Sequence, residues 1–185
     1  MYVNDDLNLV LTIKQDDNEH PLVTAYHTPI SRAVFESHYS ILAATKSKLA
    51  SKGTIYMMDS GPRIAAMTLR DEAKDDERPK DTALLAEIKR LTMIVSQGSE
   101  PLPVDSAIAS GIIDDEEWQD TLSEIVFFTC LYALAKKAEK SRIADAIATV
   151  LNASITASPL TEYASSLKPS MPEKPSRKAV SSVPA

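Results

Sequence analysis

The apolar positions fall into two kinds of run. Near the start, NLVLTI (8–13) and LVTAYHT (22–28) are short and rich in Leu, Val, Ile and Thr, separated by the charged, breaker-rich KQDDNEHP. That arrangement predicts a β-hairpin, and an isolated hairpin is marginal unless it packs on something. From residue 28 onward the apolar positions recur instead at spacings of three, four and seven, the signature of helices with one buried face.

The first such stretch is HTPISRAVFESHYSILAATKSKLA, residues 27–50. Thr28 is placed to cap it, with Pro29 at a first helical position where no amide donor is needed. Ile30, Val34, Ile41, Leu42 and Leu49 form the stripe, Phe35 and Tyr39 widen it, and Gly53 is the natural stop. A second helix is expected after Gly61-Pro62, with Ile64, Ala65, Met67 and Leu69 on a weak apolar side. A third is expected from Asp81 to Gly98, with Leu84, Leu85, Ile88, Leu91, Met93, Ile94 and Val95 inward and Glu87 and Arg90 paired outside. The proline-containing QGSEPLPVDS follows as an internal hinge. Asp105 then caps a short helix closed by Gly111.

The run IIDDEEWQDTLSEIVFFTCLYALAKKAEK carries the fullest set of helix signals. Asp114 and Glu117 have capping-box spacing, Ile112 or Ile113 can staple onto the first turn, and acidic residues at the start and Lys136, Lys137 and Lys140 at the end complement the helix dipole. Its middle is apolar all round, which predicts the most buried element of the molecule. Ser141 caps a further helix ended by Pro159, and LTEYASSL forms a turn or two more. Beyond Leu167, KPSMPEKPSRKAVSSVPA holds too few apolar residues to offset the entropy of ordering it. The expected organisation is therefore a single domain over 1–167 and a disordered, basic, Pro/Ser-rich tail over 168–185. The expected fold class is mainly α: a helical bundle around a central helix at about 114–140, with an N-terminal β-hairpin.

Composition narrows the function. The 185 residues are 44% hydrophobic, close to the globular average. A net charge of -6 and a pI near 5.1 argue against nucleic acid, which needs clustered Lys and Arg. Cys130 is the single cysteine, so no internal disulfide and no Cys-based zinc site can form, in keeping with a reducing compartment. No secretory leader is visible, and the longest apolar run, IVFFTCLYALA, has about half of the ~20 residues that cross a bilayer. A cytoplasmic protein with no membrane partner is the expectation.

Catalytic chemistry leaves little trace. Four scattered glycines make no phosphate loop, and neither HExxH nor GxSxG occurs. Asp71, Glu72, Asp75, Asp76 and Glu77 are interleaved with Arg70, Lys74 and Arg78 and read as a solvated face. His38 and His27 border apolar stripes without a partnered nucleophile nearby, His20 lies in the hairpin turn, and Cys130 sits in an apolar run that raises a thiol's pKa. No enzyme is expected, and no metal or cofactor.

The order of segments carries more. A hairpin, then HTPISRAVFESHYSIL, SGPRIAAMTLRD, LLAEIKRLTMIV, LPVDSAIASGIIDDEEWQDTLSEIVFFTCLYALAKKAE and TEYASSL, resembles the tail assembly chaperones of long-tailed bacteriophages over roughly residues 7–167. DEAKDDERPKD stands outside the likeness. The resemblance implies a late, non-enzymatic protein of the infected host's cytoplasm, absent from the mature virion. It would bind and solubilise the phage tape measure protein and promote tail-tube assembly, with the tail-tube protein and a frameshifted longer form of itself as further partners. Phe35, Tyr39, Tyr56, Met57 and Met58 are the candidate protein-binding residues, because methionines adapt to varied partners; the other reading of Tyr56-Met57-Met58 is a plug in the core. The alternative function is a structural virion protein, such as a tail terminator or a head–tail joining component.

Overall fold

The computed structural model describes residues 2–3, 6–51, 62–63, 65–67, 69, 80–132, 139, 142, 144–145, 154–155 and 159–167. Outside them lie Tyr56-Met57-Met58, the acidic run 71–77, the lysines expected at the end of the central helix, the Ser141 cap and the tail 168–185. The labelled elements are β1 (Tyr2–Val3), β2 (Leu9–Gln15), β3 (Pro21–His27), α1 (Arg32–Ser37), α2 (Tyr39–Ser51), α3 (Lys80–Arg90), β4 (Thr92–Ser96), β5 (Leu102–Pro103), α4 (Val104–Ala109), α5 (Asp115–Tyr132), β6 (Ser154–Ile155) and α6 (Leu160–Ser166).

The expected hairpin forms as β2 and β3, but it is the centre of a sheet and not an appendage. Six strands lie in the order β5-β4-β3-β2-β1-β6; every pairing is antiparallel except that of β1 with β6. The helical-bundle reading is therefore wrong, and the fold is α+β. The reason lies in residues 92–96. Their apolar pattern continues the stripe of α3, yet the helix stops at Arg90 and Thr92-Met93-Ile94-Val95-Ser96 pairs with β3 from His27↔Thr92 to Val23↔Ser96. Thr28 N–H to the Leu91 carbonyl (2.9 Å) and Gln97 N–H to the Leu22 carbonyl (3.0 Å) extend the ladder at both ends. Burial of β3 leaves its backbone groups no water, so an extended partner is worth more than further turns of helix. Three β-branched residues among the five, Thr92, Ile94 and Val95, suit that role.

Other boundaries shift for similar reasons. Ser31, not Thr28, caps α1 by accepting from Val34 N–H (3.3 Å), since the helix begins only at Arg32 and Thr28 N–H still extends the sheet ladder to Leu91. The expected continuous helix breaks at His38. Helix α3 starts at Lys80, so Asp81 lies inside its first turn. The expected hinge is a tight connection from Ser96 to Ser99 leading into β5, where Met93↔Pro103 and Ile94↔Leu102 pair. Pro103, not Asp105, precedes α4, and Asp105 instead pairs with Lys89, joining the acidic start of α4 to the basic end of α3.

Helix α5 fulfils its expectation closely. Asp114 N–H donates to Glu117 Oε2 and Glu117 N–H to Asp114 Oδ1, both at 2.8 Å, closing the reciprocal capping box. Ile113 and Trp118, flanking the cap, are both in the core. From Ile125 to Cys130 every side chain is buried. The helix packs on α2, α3 and strand β2, so its circumference is closed by helices on some sides and by sheet on another. Just upstream, Gly111 N–H reaches the Ile108 carbonyl and Ile112 N–H the Ala107 carbonyl, each at 3.0 Å; with φ +72° at Gly111, this is a Schellman stop for α4.

One long-range polar contact fixes α5 on the sheet. Register shifts between Thr12 and Gln15 bulge β2, and Lys14 Nζ reaches both the Ile112 carbonyl (2.8 Å) and Glu117 Oε2 (3.1 Å). Replacing Lys14 by Met should cost about 0.5–1 kcal/mol, and Asp114 by Ala about 1 kcal/mol. Because both act on Glu117, urea titrations of the double variant should show a total differing from the sum of the two; strict additivity would mean that the contact holds nothing in place.

Candidate protein-binding surface

The segment Ser31–Ser51 builds the surface. Phe35 faces inward and is only 6% exposed, in the same core as Ile30, Ile41 and Leu42. At His38 the backbone leaves the helical region (φ -114°, ψ 19°). The Ser37 hydroxyl donates to the Val34 carbonyl at 2.9 Å, and His38 Nδ1 lies 2.9 Å from the same oxygen. A carbonyl only accepts, so Nδ1 carries the proton and His38 serves as a C-terminal cap. The break turns the next residue outward: Tyr39 is 57% exposed, with its ring edge against Phe35 (centroids 6.0 Å apart, 63° between planes). A buried aromatic thus props an exposed one.

Of the five candidate residues, the structure brings Phe35 and Tyr39 together, but only Tyr39 is available to a partner. Phe35 is a core residue and acts on the surface only through Tyr39. Tyr56, Met57 and Met58 lie outside the described residues. The other large hydrophobic exposed among the described residues is Met67, at 63%. It had been assigned to the buried side of its helix. Ala65, Ala66 and Leu69 take that side, and a 3.6-residue period carries Met67 round to the other, so the signal was present in the spacing. Arg63 reaches Asp120 at 3.9 Å, which places this segment beside the first half of α5.

The titratable groups have structural work. His20 donates its amide to Asp16 Oδ1 (2.8 Å) and its ring lies 3.2 Å from Oδ2; these bonds, led by that amide, hold the Asp16 carboxyl below its ordinary value and organise the hairpin turn. Burial pushes the Cys130 thiol up to about 12, far from thiolate chemistry. Burial likewise raises Glu124, with Asp120 adding to the effect. No group of three or more His, Cys, Asp or Glu among the described residues is arranged to hold a metal ion, and no described helix is long and apolar enough to cross a membrane.

His27 stands at the strand–helix junction, as the last residue of β3, and is fully buried there. Thr92 Oγ1 donates to the Ile88 carbonyl (2.8 Å) and sits 2.9 Å from His27 Nδ1. A hydroxyl has one proton, so Nδ1–H donates to Thr92, the ring is neutral, and Nε2 is left without a partner among the described residues. Desolvation holds its pKa down to about 3.

The unfolded chain takes up this proton near pH 6.5 and the folded chain only near 3. Stability from His27 is therefore complete above pH 6.5 and is lost as the pH falls toward 3, at up to about 1.4 kcal/mol per unit. Denaturant midpoints between pH 6.5 and 5 should fall with acid in the parent and flatten in His27→Leu; equal slopes would refute the assignment. For the aromatic pair, Phe35→Ala should cost about 3–5 kcal/mol and Tyr39→Ala well under half of that. Thermal melts of the two variants measure the difference.

No family model matches the sequence, and no curated protein or solved structure matches it.

Proposed function

We propose that this chain is a phage tail assembly chaperone that binds and solubilises the tape measure protein and promotes tail-tube assembly in the host cytoplasm, without remaining in the virion. The observation that carries the reading is the order of the segments, from TPISRAVFE through GPRIAAMTL and EIKRLT to EIVFFT, which is the order of the family it resembles. The exposed Tyr39, propped on Phe35, supports it: a rigid aromatic beside helix surface is a suitable anchor for an apolar client. The exposed Met67 adds an adaptable contact. Net negative charge keeps a complex with an aggregation-prone client dispersed.

One observation favours the alternative of a structural virion protein. Ring-forming terminator and joining proteins are rich in sheet, and this chain has a six-stranded one. Mass spectrometry of purified particles separates the two, since the chaperone should be missing and the structural protein present in stoichiometric amount.

Co-expression with the phage's tape measure protein, followed by pull-down, should yield soluble client only when this protein is present. Tyr39→Glu should weaken capture about tenfold, the loss of one aromatic anchor, while its melting temperature stays close to the parent's. A tape measure protein that remains insoluble, with this protein abundant in particles, would transfer the assignment to the alternative.

A further inference from the structure

We draw no further inference here: the strongest candidate, the outward face of α2 with the exposed Tyr39 and Lys46, belongs to the surface already proposed for the client, and nothing among the described residues shows what else covers it.

Discussion

The backbone of β3 sets the terms for the rest of the molecule. Its residues Val23–His27 are buried, with neighbours above and below the sheet, so their amides and carbonyls have no access to water. Unpaired, each would carry the full desolvation penalty of a lost hydrogen bond. Strand β2 satisfies one edge through the hairpin turn. The other edge needs a second extended segment, and the chain delivers it some seventy residues later as β4. Once β4 is in place, α3 must end at Arg90, and the chain must turn at Ser96–Ser99 to add β5 and then α4. The stretch from α3 to α4 is arranged by the need to close that edge.

This explains which elements were legible in the sequence. The capping box at Asp114 and Glu117, the Gly111 stop and the Glu87–Arg90 pair are local devices whose partners lie within five residues, and each forms as expected. Residues 92–96 depend on a partner far away in the chain. Thr92-Met93-Ile94-Val95 continues the apolar face of α3 when counted in threes and fours, and it also supplies alternating sides when extended: Ile94 enters the main core while Val95 joins a second cluster. Periodicity cannot choose between these for so short a run. The enrichment in β-branched residues was the available cue. The displaced cap at Ser31 has the same origin, since Thr28 was a sound local candidate until its amide was taken by Leu91.

Site residues follow the same division. Tyr39 and Phe35 both widen the helical stripe, and a continuous helix would treat them alike. The break at His38 separates them, sending one inward and one out, and it rests on side-chain bonds from Ser37 and His38 to a single carbonyl that composition does not announce. His27 was legible only as a boundary residue because its surroundings come from β4 and α3. Its proton bridges β3 to Thr92, whose hydroxyl passes to Ile88 at the end of α3, so a polar chain crosses the junction where helix becomes strand. Such a chain is satisfied at every atom except Nε2, and the neutral ring keeps the cost of that exception small compared with a buried charge.

The two faces of the sheet then have different coverings. The face under α5 carries a reciprocal cap and a lysine reaching from the bulged strand. On the other face, among the described residues, Leu160, Tyr163, Ala164 and Leu167 pack against Val10, Tyr26 and Val95. Strands β2, β3 and β4 contribute to both, alternating sides residue by residue, so one set of backbone hydrogen bonds serves two clusters of side chains.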